Sequence, residues 1–319
     1  MEWYDRARRT LPWRATDDPY AIWVSEVMLQ QTQTTAVRPY FERWMRAFPN
    51  VRDLAAASQE RVFALWQGLG YYRRCENLMR GAKLVRERGW PRSVEEWRRL
   101  PGVGPYTAGA IASRVLNACT PAIDGNAARV YARVCLDPAT GSKLASAAAE
   151  WSSRCMNEAR PGDWNQALME LGARMCRPRA PLCGECPLKA YCGAFAQDRV
   201  EEFPMKRSRP KTVRIELRYD VPIFHQMVGV TTDDSHRWWR NLWVFPPHRS
   251  VRGDRRPLPR LNSVVTHHRV EFFSDLVLAD RMEPNLSWRR FDEVGALALP
   301  SPHRRLLDVA LREVSRLAY

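Results

Sequence analysis

The stretch LPGVGPYTAGA, residues 100–110, places two glycines and a proline in the order that turns one helix into the next. Gly102 and Gly104 permit a tight turn and let the backbone approach a neighbour closely. Pro105 suits the first helical position, where its missing N–H is not needed. Beyond it, Ala108, Ile111, Ala112 and Val115 recur at i, i+3, i+4 and i+7, which predicts a helix over 105–117. Such a helix start offers free N–H groups to a phosphate. The same corner also serves ordinary helix packing.

Outward from this hairpin the helical pattern continues. Residues 21–33 form a helix candidate without glycine or proline, and Ala127, Val130, Tyr131 and Val134 repeat the helical spacing after Gly125. Leu168, Leu171 and Met175 extend it more loosely. Residues 197–212 (AQDRVEEFPMKRSRPK) are charged, contain two prolines and read as a linker. The period then changes. Val213, Ile215, Leu217, Tyr219 and Val221 alternate with Arg214, Glu216, Arg218 and Asp220, the signature of a strand with one buried face. Strand-like runs follow at 242–245 and 270–278, and a last helix carries Leu307, Ala310, Leu311 and Val314 on one face. The expected organisation is a mostly α domain over 1–196, a linker over 197–212 and a small α+β domain over 213–319.

The chain of 319 residues has 50 Lys and Arg against 35 Asp and Glu, a net charge of +15. A basic excess of this size favours a polyanionic partner. MEWYDRARRT has no apolar core and no run of 18 apolar residues follows, so neither a secretory signal nor a membrane span is expected. Of eight cysteines, Cys75, Cys119, Cys135 and Cys155 are scattered, and buried free thiols in a reducing cytoplasm are expected. Cys176, Cys183, Cys186 and Cys192 follow C-x6-C-x2-C-x5-C. Four soft thiolates so close in sequence suit one [4Fe–4S] cluster. A structural zinc site is the alternative, although only one C-x2-C knuckle is present. Arg177 and Arg179 lie in the loop between the first two cysteines, placed to meet phosphate.

Two carboxylates stand out. Asp124 in AIDGNAARV sits at a helix start, where it serves as an N-cap or faces a substrate. Glu26 in WVSEVMLQQTQ shares a helical face with Ile22 and Gln30 beside Trp23 and Leu29. Apolar company of this kind raises a carboxyl pKa and makes a general acid, while a solvated surface glutamate is the alternative. Together they suit glycoside cleavage, one protonating the leaving group and the other facing an oxocarbenium-like centre.

LPWR (11–14), SEVMLQQTQ (25–33), GLGYY (68–72), LPGVGPYTAGAI (100–111), DGN (124–126), LMELGARMC (168–176) and the cysteine spacing resemble the MutY family of adenine DNA glycosylases, in order and over nearly all of 1–195. The resemblance implies a helix-hairpin-helix glycosylase domain with a [4Fe–4S] cluster on Cys176, Cys183, Cys186 and Cys192. It implies hydrolytic removal of adenine opposite 8-oxoguanine, or opposite guanine, from double-stranded DNA in base excision repair. Glu26 would protonate adenine at N7 and then help activate water, and Asp124 would stabilise the sugar cation or a transient adduct. Tyr106 would support that intermediate, and Asn126, which can orient a water or the Asp124 carboxylate, would help position water. Gln31 and Tyr71 would wedge into the duplex, and Gly102 and Gly104 would meet its backbone. With tyrosine at 106 no amine is offered for a Schiff base, so a monofunctional enzyme is implied. Thymine mismatch glycosylases of the superfamily are the runner-up.

The second domain resembles the MutT-like (Nudix-fold) 8-oxoguanine-sensing domain of that family through LWVFP (242–246) and VTHH (265–268). Val265 and Thr266 depart from the family's Phe-Ser, while Thr266 keeps a hydroxyl and His267 is retained. The resemblance implies lesion reading by Thr266 and His267, and no pyrophosphatase activity. A monomer acting on nucleoid DNA in a bacterial cytoplasm is expected.

Overall fold

The computed structural model describes residues 1–205, 212–232, 238–239, 241–265 and 267–317. Thr266, singled out above, lies outside the described residues. Helices lie in chain order at α1 (Glu2–Ala7), α2 (Pro19–Leu29), α3 (Thr34–Ala47), α4 (Val51–Ala56), α5 (Gln59–Trp66), α6 (Tyr72–Arg88) and α7 (Val94–Arg98). They continue as α8 (Pro105–Val115), α9 (Gly125–Cys135), α10 (Gly141–Cys155), α11 (Pro161–Arg174) and α12 (Gly193–Ala196). The chain divides into two compact units, Met1–Ala57 with Arg73–Ser208, and Ser58–Tyr72 with Arg209–Tyr319. This differs from a single boundary at 197–212. The short segment holding α5 groups with the second unit, a tertiary preference that no local pattern announces. No described helix is long and apolar enough to cross a membrane.

In the first unit α2, α8, α9 and α11 pack on one another. Local chemistry explains their limits. Asp18 caps α2 by accepting from the Tyr20 N–H, with Pro19 at the first position. Every residue from Tyr20 to Met28 is buried, so α2 is a core helix with no solvent face. It ends at Leu29, short of the expected 33, because Gln31 turns left-handed at φ 58°. Arg74 of α6 holds that end, donating to the Val27 and Met28 carbonyls at 3.0 Å each and to that of Gln30. Where α8 approaches the segment before α9, Gly109 leaves no room for a side chain: a Cβ would lie 2.5 Å from the Pro121 carbonyl oxygen.

A buried carboxylate ties the N-terminus to α11. Glu170 is fully buried and accepts from Arg9 Nε at 2.7 Å and Arg14 Nη2 at 2.9 Å. Burial pushes its pKa up, but the two arginines together outweigh that and hold it below the usual range. Phe203, expected in the linker, is instead 4% exposed and packs with Ala132, Leu144 and Ala194. The charged run around it hid an apolar anchor. Of the scattered cysteines only Cys75 is buried. Cys119, Cys135 and Cys155 are exposed, because they sit at or beyond helix ends rather than on core faces.

In the second unit the strands are β1 (Val213–Phe224), β2 (Met227–Val230), β3 (Gly253–Pro257), β4 (Leu261–Val265), β5 (His268–Ala279) and β6 (Ser287–Arg290). They form one mixed sheet in the order β3-β5-β1-β2-β6, with β4 also paired to β5. The central pair β1 and β5 is parallel from Val213 opposite His268 to Ile223 opposite Leu278. A final helix, α13 (Ser301–Leu317), packs on the sheet and buries Leu306, Leu307 and Ala310. It also buries His303 among Tyr219, Trp239, Phe245 and Phe272. The expected strand at 242–245 is a single bridge, Thr231 to Val244. The alternation over 213–221 also fails at Asp220. That residue is fully buried and accepts from Arg255 at 2.6 and 3.0 Å, because a middle strand is covered on both faces.

Glu170→Ala leaves Arg9 and Arg14 without their shared partner. It is expected to cost about 2–3 kcal/mol, read as a lower midpoint of urea unfolding. Glu170→Gln, which keeps shape and one acceptor, is expected to cost less.

Candidate active site

Glu26 lies on the middle of α2, 2% exposed. Its carboxylate accepts a hydrogen bond from the Tyr106 hydroxyl of α8 at 3.2 Å. The same hydroxyl lies 3.3 Å from Met169 Sδ. Burial pushes the Glu26 carboxyl above its ordinary range, and the nearby Asp124 charge adds to that. Arg114, the Tyr106 hydrogen bond and Arg14 oppose it. The burial expected from its apolar neighbours is present, so this carboxyl holds a proton at higher pH than a solvated glutamate does. Tyr106 is pushed well above its usual range by the same burial and by Glu26, and stays a neutral donor.

Asp124 caps α9. One carboxylate oxygen accepts from the Asn126 and Ala127 N–H groups at 2.9 and 2.8 Å. The other accepts from the Asn126 side-chain amide at 2.8 Å. The capping and substrate-facing readings are therefore compatible, since the cap fixes the carboxylate rather than consuming every lone pair. The Asn126 carbonyl oxygen is taken in turn by Arg129 Nη2 at 2.8 Å, and Arg129 also donates to the Gly172 and Cys176 carbonyls. Asn126 is thus engaged at both ends of its amide and holds Asp124. Arg129 was missed by sequence reasoning. Its place five residues after Asp124, on the α9 face toward α11, was the available signal.

The hairpin glycines act differently from one another. Gly102 sits at φ 75°, while Gly104 is extended and forms the uncapped start of α8. A Cβ on Gly104 would meet nothing within 4 Å, so this backbone is open to an approaching group. Gln31 and Tyr71 both take positive φ, 58° and 49°, and both are exposed, Tyr71 by 49%. Each belongs to a different unit. In the second unit His267 is exposed beside β4, its ring 4.0 Å from that of His268.

Cys176, Cys183, Cys186 and Cys192 line one cavity together with Arg133 and Phe195. They are free thiols carried by the turns that follow α11. Among the described residues, the one triad of candidate ligand atoms gathered within 4.8 Å is Asp220, His248 and Asp275. Four thiols around one cavity are a soft donor set that fits an iron–sulfur cluster. Arg133, 1% exposed, donates to Cys176 Sγ at 3.3 Å and to the Arg177 and Phe203 carbonyls at 2.8 and 3.0 Å. It too was missed, because a helical arginine reads as surface. Arg179 is exposed, and Arg177, half-buried, donates to the Ala180 carbonyl at 2.7 Å.

Comparison with known proteins agrees with this geometry. Residues 24–154 match the model of the HhH-GPD superfamily of base excision DNA repair proteins. Residues 176–192, which hold all four clustered cysteines, match the iron–sulfur binding domain of endonuclease III, and a [4Fe–4S] cluster is the group this segment binds. Adenine DNA glycosylase of Homo sapiens is 48% identical over 216 residues, covering 63% of this chain and 39% of that protein. Adenine DNA glycosylase of Buchnera aphidicola from Acyrthosiphon pisum is 32% identical over 261 residues, covering 77% and 72%. The chain thus spans about two fifths of the length of the human relative it matches. A solved thermostable thymine-DNA glycosylase is similar in structure, with a TM-score of 0.57 and 25% identity over 61% of this chain and 93% of that one.

Cys183→Ser is expected to remove the broad visible absorbance of an iron–sulfur chromophore and to lower the thermal midpoint. Iron and acid-labile sulfide analysis of the purified protein checks the assignment. A colourless wild-type protein carrying zinc alone would contradict it.

Proposed function

The chain belongs to the adenine DNA glycosylase family, and on that premise we propose that it hydrolytically removes adenine mispaired with 8-oxoguanine, or with guanine, from double-stranded DNA without cutting the strand. The observation that carries this is the buried Glu26 carboxyl, held by Tyr106 and within electrostatic range of the capped Asp124. A neutral acid and a fixed carboxylate side by side are what departure of a purine requires.

In this mechanism the adenine leaves the base stack and enters the site. Glu26 donates its proton to N7, and the C1′–N9 electron pair leaves with the base. The sugar becomes an oxocarbenium ion, which the Asp124 carboxylate stabilises from its cap. Water adds to C1′, and the Glu26 carboxylate accepts the proton that water gives up. Asn126 and Arg129 keep Asp124 in place. Tyr106 offers a hydroxyl and no amine, so no Schiff base forms and no strand break follows directly. The uncapped start of α8 after Gly104 supplies N–H groups to a phosphate of the DNA. Gln31 and Tyr71, exposed on left-handed turns, are the proposed wedges. The [4Fe–4S] cluster on Cys176, Cys183, Cys186 and Cys192 supplies a rigid anchor for the loop that carries Arg179 toward phosphate.

The β1–β6 unit is proposed as the MutT-like reader of 8-oxoguanine, with His267 at the β4–β5 turn and Thr266 beside it as the contacting residues. The setting proposed is nucleoid DNA in a bacterial cytoplasm, with the protein a monomer.

The test is single-turnover reaction on duplexes carrying A opposite 8-oxoguanine, A opposite G and T opposite G, with and without alkali. Adenine release with breakage only after alkali is expected; thymine release or direct breakage would replace this reading. Glu26→Gln is expected to lose at least about 10²-fold in rate while still binding DNA. The wild-type rate is expected to fall as pH rises through the raised Glu26 value, because the protonated form is the active one. His267→Ala is expected to narrow the preference for 8-oxoguanine over guanine while sparing adenine release itself.

A further inference from the structure

Helices α2 and α8 lie antiparallel. At one end the Gln30 side chain donates to Thr107 Oγ1 at 3.2 Å. Next comes Tyr106 with Glu26. At the other end Arg114 Nη2 donates to the Thr16 carbonyl, just before α2, at 3.0 Å. Arg114 follows Tyr106 by eight residues, about 12 Å along α8. Long helical side chains lean back toward their own N-terminus. The Arg114 side chain therefore leans along α8 in the direction of Tyr106 and Glu26, with one arm of its guanidinium anchored at Thr16. Its Nη1 is buried and has no hydrogen-bond partner. A buried cationic donor left open is costly unless a charge or a bound group nearby uses it. The stem is gripped from the far side, since a Cβ on Gly162 at the start of α11 would lie 2.8 Å from Arg114 Cγ.

We propose that Arg114 is a positioning residue for Glu26, its anchored guanidinium being the cation against which that buried carboxyl works. The proposal rests on Glu26 being the acid of the reaction. Four groups bear on Glu26: Arg114 and Tyr106 from α8, Asp124 from the α9 cap, and Arg14 from the turn before α2. Arg114 is the strongest of these and favours the ionised form. Burial and Asp124 favour the neutral one. Arg114 thus sets how readily Glu26 gives up its proton to the base. It also steadies the carboxylate left behind, until water returns the proton.

The sign follows. Removing the Arg114 charge raises the Glu26 pKa, so the protonated form persists to higher pH. With enzyme saturating over an adenine:8-oxoguanine duplex, Arg114→Met is expected to move the alkaline limb of the single-turnover rate upward by about 0.5–1 pH unit. Arg114→Lys keeps the charge and is expected to leave the limb near that of the wild type. Arg114→Gln, which keeps a polar head without the charge, should behave as Met does and stands in if Met fails to fold. An unmoved limb in a folded Met or Gln variant overturns the proposal. So does an equal shift in the Lys variant, which would mean packing alone. Direct titration of the Glu26 carboxyl by carbon-13 NMR, in wild-type and Arg114→Gln protein without DNA, gives the same answer independently of turnover. If wild-type protein releases no adenine, the functional reading fails; the carboxyl titration still decides the role of Arg114.

Discussion

Everything at the site depends on burying one carboxyl between two helices. Glu26 sits in an α2 with no solvent face, against an α8 whose first turn brings the Tyr106 hydroxyl onto it. Moving a carboxyl out of water disfavours its ionised form, and that single cost converts a glutamate into an acid. The neutral carboxyl accepts one hydrogen bond, and nearby cations steady the ionised form once the proton has left. The same helix pairing brings Asp124 within range, since α9 starts just after the segment that crosses Gly109. A larger residue at 109 would lift α8 from that segment and spread the two carboxylates apart.

Arginines do much of the fastening. Arg74 ties off the carbonyls at the end of α2, Arg129 links the Asp124 cap to α11, and Arg133 joins the cysteine cavity to the chain around Phe203. Arg9 and Arg14 close on Glu170. Each uses several of the guanidinium's donors at once, and Arg129 and Arg133 join separate segments in doing so. Part of the excess positive charge therefore serves the fold, and only the exposed remainder, such as Arg179, is free to face phosphate.

The second unit solves a different problem with the same means. Its long central strands β1 and β5 pair in parallel, which needs covering on both faces. One face is closed by α13 and the aromatic cluster around His303. On β1 the fully buried Asp220 is neutralised by Arg255 of β3, at 2.6 and 3.0 Å. A charge placed where alternation predicts solvent is held by its partner rather than by water.

Much of this protein is settled locally. The hairpin at 100–110, the Asp124 cap and the helical repeats around them depend on propensity, periodicity and capping within a few residues of each other, and they are legible in the chain. The four cysteines are legible because soft ligands at short spacing leave few uses for themselves. The carboxyl of Glu26 could be suspected from its neighbours. Its burial, however, is decided by α8, eighty residues away in the chain. Arg74, Arg129 and Arg133 read as surface residues because nothing local marks which arginine will meet a distant carbonyl. Phe203 hid in a charged run, Asp220 in an alternating strand, and α5 in a stretch of chain that groups with the other unit. Sequence determined the elements and the chemistry they carry; only the tertiary structure decided the partners, because burial, pairing and desolvation depend on what the rest of the chain places alongside.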